Sequence, residues 1–262
     1  MDLPARAVCQ PVPTTRVDLH VKILDEDVVD RAKARGLDVL VYAPHFTRLP
    51  TARRRAERLS DDDLLVVPAR EIFTGTWRNR KHVLALGLEE PVPDFITLEG
   101  AMAEFERQDA VVLAPHPAFM TVSLTAEDIR TYRDQVAALE VYNPKHLPSH
   151  NQRAGEIAQS LDLPIFGSSY AHLRTTVGEV WTAFDREIRT EADLLEALQD
   201  RAWRQVRRRD DQLHDIRCLR EFAHLGWENS WEKFERVLLS GMEPTHPRHI
   251  AYDGAFDDVA EY

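Results

Sequence analysis

Seven short apolar runs, RVDLHVK, DVLVYAPHF, LLVVPARE, KHVLALGL, AVVLAPHP, ALEVYN and LPIFGSSY, recur along the chain with amphipathic segments between most of them. Runs of four to eight residues in that alternation predict strands joined by helices, since parallel strands need a crossover long enough to hold a helix. EDVVDRAKAR closed by Gly36, PTARRRAERLS, TLEGAMAEFERQ, TAEDIRTYRDQVAAL and HNQRAGEIAQSL supply the helices. Thr97 with Glu99 and Thr125 with Asp128 are N-terminal helix signals, and Gly36 is a C-terminal stop. A chain of 262 residues suits one large α/β barrel. No Ser/Gly linker or low-complexity tract divides it, so one barrel domain is expected over residues 1–206. Residues 207–262 differ: a basic run RQVRRRDDQ leads into them, followed by an aromatic helix candidate EFAHLGWENSWEKFERVLLS and an extended acidic end. They read as a helical appendage whose Trp227, Trp231 and Phe234 pack on the barrel, or else as an oligomer contact.

A β/α barrel carries its chemistry at the C-terminal ends of its strands, so the residues found there matter most. Two strands end on Ala-Pro-His, at His45 and His116, where proline stops the ladder and the imidazole follows at the rim. The other strands carry His20, Glu71, His82, Glu140 with Asn143, and His172. Several imidazoles with few carboxylates form a donor set for zinc, manganese or iron rather than calcium or magnesium.

The order DLHV, a strand ending in His, VPAREI, a strand with His, PHP, and GSSYAH followed by VGE resembles the polymerase and histidinol phosphatase (PHP) superfamily. Its pattern is DLHxH, TDH, PGxEI, a lone His, a further His and GSDAH, and the likeness runs over roughly residues 16–200. The resemblance implies a distorted, TIM-like (β/α)7 barrel of seven strands and a cluster of up to three metal ions that hydrolyses phosphate esters. Three positions depart from it: Lys22 stands for the second histidine of DLHxH, Pro44 for the aspartate before His45, and Tyr170 for the final aspartate. By resemblance Glu71, His82 and His116 keep one intact metal site, while His20, still a ligand candidate, His45 and His172 are remnants of two others. Losing two carboxylates and gaining an ammonium makes three clustered cations electrostatically untenable, so one divalent ion is expected.

The leading expectation is therefore a phosphoesterase with a metal-activated water, acting on a small phosphorylated molecule or nucleotide. His45 or His172 would serve as general acid. Lys22 would contact a phosphoryl oxygen, or instead pair with Glu71 or Asp18. Arg78, Arg80 and Tyr170 are substrate-binding candidates, and FTGTWRNRKH is expected to form a loop over the site; Arg70, next to Glu71, should point to the opposite face. A second expectation is a PHP-like barrel that has lost catalysis and serves as a binding or scaffold protein on RNA, because the resemblance extends to a ribonuclease P protein subunit. A third is an amidohydrolase. No GxGxxG after a strand, Walker loop, GxSxG or HExxH is found. The His146/His150 and His246/His249 pairs are interrupted by Pro148 and Pro247, which favours packing or surface roles.

Charge narrows these choices. With 44 acidic against 33 basic residues the net charge is -11, which argues against general nucleic-acid coating, and Arg53–Arg58 offers the compact basic helix. Lysine occurs only at positions 22, 33, 81, 145 and 233, and this arginine-rich, acidic balance resembles proteins of salt-adapted cytoplasms. Cys9 and Cys218 form no disulfide framework, no apolar run reaches the roughly 18 residues of a membrane helix, and the N-terminus lacks a signal-peptide core. A soluble, cytoplasmic protein is expected.

Overall fold

The computed structural model describes residues 14–76, 78–117, 122–210, 214, 216–217, 219–221, 223–224 and 244–261. Strands β1 (Thr15–Val21), β2 (Val39–Tyr42) and β3 (Leu65–Thr74) alternate with helices α1 (Glu26–Ala34) and α2 (Leu49–Leu59). Strand β4 (Lys81–Leu86) then precedes α3 (Leu98–Arg107), β5 (Val111–Ala114), α4 (Ala126–Thr131), β6 (Val136–Tyr142), α5 (Pro148–Leu161) and β7 (Ile165–Gly167). Strand β8 (Val180–Phe184), α6 (Glu191–Gln199) and β9 (Arg204–Arg208) follow.

Local chemistry explains the element ends. Thr125 and Asp128 form a reciprocal capping box on α4, Thr97 accepts from the Gly100 N–H at the start of α3, and Gly36 follows α1 at φ +71°. α4 is shorter than the TAEDIRTYRDQVAAL pattern predicted, because Val136 already begins β6.

The nine strands form one sheet in the order β7-β6-β5-β4-β3-β2-β1-β8-β9. This corrects the expected seven-stranded (β/α)7 barrel in two ways. First, β8 and β9 are added beyond the seven apolar runs; β8 is half-buried and β9 is the polar segment RQVRR, so neither shows as an apolar run. Second, β4 is antiparallel to both β3 and β5, and β8 to both β1 and β9, while the remaining neighbours pair in parallel.

The sheet nearly closes. Gly167 on β7 donates its N–H to Thr182 Oγ1 on β8 at 3.0 Å, and that hydroxyl donates back to the Gly167 carbonyl at 2.9 Å. A Cβ at Gly167 would lie 2.4 Å from Val206 Cγ1 on β9, so glycine permits the closure. One apolar cluster collects Val17, Val41, Val67, Leu84, Leu113, Ala138, Phe166 and Phe184, residues from eight strands, which only the inside of a closing sheet can do. Leu194, Ala197 and Leu198 of α6 join it as a plug. Separate clusters lie under α1 with α2 and under α3 with α5.

Only the ends of FTGTWRNRKH are strand: β3 and β4 pair up to Thr74 opposite Lys81, and the described residues between them, 75–76 and 78–80, form a short connection that starts at Gly75 with φ +77°. Trp227, Trp231 and Phe234 lie outside the described residues. The positions described between 214 and 224 are helical. The acidic end is not extended but coiled into two 3-10 turns, Ile250–Tyr252 and Asp257–Val259. It returns to the barrel, where the Thr97 N–H donates to the Val259 carbonyl and the Glu261 N–H to the Phe95 carbonyl. Among the described residues no helix is long and apolar enough to cross a membrane.

Candidate metal centre

Strand direction brings the site together. His82 stands at the start of β4, yet β4 runs backwards, so its start lies on the rim where β3 and β5 end; the register sets His82 opposite Phe73 and Glu71 opposite Leu84. The Phe73 ring stacks on the His82 ring at 3.8 Å between centroids. Asp94 fixes this stretch of β3 by accepting from the Phe73 N–H at 2.9 Å and from Arg70 at 3.0 Å. Arg70 is thus engaged away from the site, as strand alternation requires.

Glu71, His82 and His116 are all buried, and their ligand atoms lie within 4.8 Å of one another. Glu71 Oε1 is 2.9 Å from His116 Nε2, 3.4 Å from His82 Nδ1 and 3.5 Å from His20 Nε2. Glu71 Oε2 faces Lys22 Nζ at 2.5 Å and His45 Nδ1 at 3.0 Å. Burial alone would raise the Glu71 carboxyl, but Lys22 and the imidazoles of His82, His45 and His20 hold it well below the usual carboxylate range. Burial pushes His82 down to about 4, so this ring is neutral at pH 7. An ionised carboxylate with neutral imidazoles is the protonation state that divalent cations bind.

The donor atoms fit a metal on two further counts. Both ring nitrogens of His82 and of His20 are buried without a hydrogen-bond partner among the described residues, a costly state that a cation would relieve. His116 is also preset as a ligand: the Ser123 hydroxyl donates its one hydrogen to the His116 carbonyl at 2.5 Å, so it accepts from His116 Nδ1 at 3.0 Å. Nε2 faces Glu71 Oε1 at 2.9 Å, where a cation would take the place of the hydrogen shared between them.

His116 and Tyr170 carry φ of +33° and +45°, left-handed conformations that cost non-glycine residues about 1–3 kcal/mol each and recur at functional sites. Glu140 holds one of them, accepting from the His116 N–H at 2.8 Å as well as from Asn143 Nδ2 at 2.9 Å and from the Ser168 hydroxyl. Burial would raise Glu140, yet His20, His116 and His146 keep it at about 2.

The remaining candidates divide. Tyr170 fills the middle of the cluster, its ring centroid 4.5 Å from His20, 5.1 Å from His116 and 4.9 Å from His172. His172 and His45 lie 5.6 Å apart between centroids. Both are held well below the ordinary imidazole value, by burial first and then by Lys145 for His172 and Lys22 for His45. At pH 7 neither carries the extra proton that the expected general acid needs. Lys22 also donates to the Ala43 carbonyl at 2.7 Å, and burial lowers it to about 8 against the pull of Glu71. Arg80 is half-buried with its guanidinium 5.8 Å from the Phe73 ring centroid, while Arg78 is exposed on the connection after β3. His146 is buried 6.3 Å from His116, ring to ring; His246 packs near Phe95, and His249 accepts from the Ala251 N–H.

Sequence reading missed Lys145, Glu221, Ser123 and Ser168. Lys145 is buried, with its ammonium 4.4 Å from the Tyr170 ring centroid, and it contacts His172 Nδ1. The one available signal was its rarity, as one of five lysines in the chain.

A family model described as PHP-associated matches residues 148–202. No curated protein matches the chain. Among solved structures, PsfC from Pseudomonas syringae is 21% identical with a TM-score of 0.60, covering 82% of this chain and 99% of that one. A lesion-specific endonuclease, Endonuclease Q from Pyrococcus furiosus, is 15% identical with a TM-score of 0.55 over 74% of this chain, which spans 58% of the endonuclease. An amidohydrolase from Chromobacterium violaceum, solved with bound sulfate and no metal, is 15% identical with a TM-score of 0.50, over 74% and 98% of the two chains. At these identities the likeness is one of fold. The PHP-associated match over residues 148–202 and the ordered motifs from Asp18-Leu19-His20 to Ala171-His172 support a PHP superfamily protein, similar to that family and departing from its pattern at Lys22, Pro44 and Tyr170.

Proposed function

We propose that this protein is a metal-dependent hydrolase of phosphate esters, working with a single divalent ion held by Glu71, His82 and His116. The observation that carries the reading is the convergence of these three buried side chains, whose ligand atoms lie within 4.8 Å of one another. Zinc, manganese and iron suit the donor set. When bound, the ion would supply Lewis acidity and bring the pKa of a water at the site toward neutrality. Around it, Lys22 places a positive charge beside Glu71, where it would meet an anionic substrate oxygen. The neutral rings of His45 and His172 are suited to donate a hydrogen bond, and Tyr170 excludes water from the centre of the cluster. The fold neighbours whose descriptions name an endonuclease and an amidohydrolase are in keeping with a hydrolase, and the bound sulfate of the latter with an oxyanion substrate.

The direct test is hydrolysis of p-nitrophenyl phosphate and bis-p-nitrophenyl phosphate by protein reconstituted with zinc or manganese, beside Glu71→Gln. Turnover in the wild type that the variant loses supports the reading; no turnover of either ester with any of these metals counts against it.

One observation favours a second reading, a catalytically silent barrel serving as a binding protein. Lys22 already neutralises Glu71 Oε2 at 2.5 Å, so the ammonium occupies one side of the carboxylate a metal needs. Under that reading the protein takes up no ion at all, and RNA binding that weakens with rising salt would be its signature.

A further inference from the structure

Glu221 reaches the candidate site from beyond β9, and its carboxylate is fully buried. Oε1 accepts from the backbone N–H groups of His172 at 3.1 Å and Leu173 at 2.8 Å, and from the Thr176 hydroxyl. Oε2 lies 3.5 Å from Lys145 Nζ. One carboxylate therefore anchors the turn that carries His172 and faces the ammonium that touches the ring of His172. The carboxylate and the ammonium thus form a buried ion pair beside the ring of His172.

His172 Nδ1 has two partners of opposite kind. Lys145 Nζ can only donate to it, whereas the Tyr170 carbonyl at 3.0 Å can only accept. A single nitrogen cannot serve both: it carries either a lone pair for Lys145 or a hydrogen for Tyr170. The ionic donor wins, because a charge-assisted hydrogen bond is roughly twice as strong as a neutral one.

We propose that Lys145, held by Glu221, fixes His172 in the tautomer with its hydrogen on Nε2, which makes His172 a hydrogen-bond donor at that edge of the ring. Lys145 and Glu221 are positioning residues in this arrangement, and residues after 206 become a working part of the site rather than an appendage. Under the phosphoesterase reading, on which this clause alone rests, the Nε2–H donates to an anionic oxygen of the substrate. The sequence expectation of a general acid is replaced by a neutral donor.

The test is a long-range 1H–15N correlation spectrum of the full chain with 15N-labelled histidine at pH 7.5, with His172 identified by its loss in His172→Gln. The wild-type spectrum should show a protonated Nε2 and an unprotonated Nδ1 for His172. Lys145→Met should move the hydrogen to Nδ1, toward the Tyr170 carbonyl, while Lys145→Arg, which still donates, should leave it on Nε2. Glu221→Gln should shift the equilibrium partly toward Nδ1–H. A wild-type His172 with its hydrogen on Nδ1 would overturn the proposal whether or not any variant folds, and so would an unchanged tautomer in folded Lys145→Met. The wild-type spectrum needs neither metal nor substrate, so its outcome stands apart from that of the hydrolase assay.

Discussion

Glu71 divides its carboxylate between two cation-seeking sides: Oε1 faces His116, His82 and His20, and Oε2 faces Lys22. In the metal-free protein the ammonium is the main compensation for this buried charge, and removing one partner of such a pair costs about 3–5 kcal/mol. Lys22→Met should therefore lower the melting temperature of the apo protein markedly, and zinc should raise it more in the variant than in the wild type, because repulsion between ammonium and ion is gone. Differential scanning calorimetry with and without zinc reads both effects; equal zinc shifts in the two proteins would show that Lys22 and the ion do not share Glu71. The motif order singled out Glu71, His82 and His116 by resemblance, and these three side chains converge in the structure. Lys145 and Glu221 were not singled out, since one sits in a loop without a motif and the other on an extension with no pattern linking it to the barrel.

At the scale of elements, the β7 to β8 contact depends on a missing side chain. Gly167→Ala would drive a Cβ to 2.4 Å from Val206 Cγ1 and 3.1 Å from Val180 Cγ1, so β9 must move. Overpacking of this kind costs about 1–3 kcal/mol. Urea unfolding should show that loss, and Gly167→Ala combined with Val206→Ala should recover part of it; an unchanged midpoint for the single variant would mean that the sheet is not closed there. Strand positions β1 to β7 were readable from apolar runs, yet their directions were not. An apolar run looks the same in either sense, so the reversal of β4, which delivers His82 to the correct rim, left no mark in the sequence. β9 was read as a basic run because its RQVRR segment is polar and only Arg204 in it is buried.

For the whole molecule, buried neutral histidines set an acid limit. Burial pushes His146 from 6.5 down to about 3, so the unfolded chain takes up a proton through pH 6.5 while the folded protein refuses it until about pH 3. The stability this represents is present above pH 6.5 and is lost as pH falls through that window, by about 3 kcal/mol at pH 4 for one such group. Melting temperatures of the metal-free protein should fall steadily from pH 7 to pH 4, and His146→Asn should flatten the slope. A slope identical in the two proteins would show that His146 protonates freely in the fold. The same scale joins the C-terminal part to the barrel: Glu179, fully buried, binds Arg35 and Arg217 at 2.8 Å and His214 at 3.0 Å, and so ties residues after 206 to the segment between β7 and β8. Composition foretold an arginine-rich, acidic chain, but which arginines surround one carboxylate emerges only when the strands are in place.

The central claim is one divalent ion on Glu71, His82 and His116, and its most direct test is metal content per chain, by elemental mass spectrometry on protein purified without chelator and then incubated with zinc or manganese. The account predicts about one ion per chain in the wild type, as a site of three protein ligands requires, and none in Glu71→Gln. No ion in either protein, or the same content in both, would contradict it.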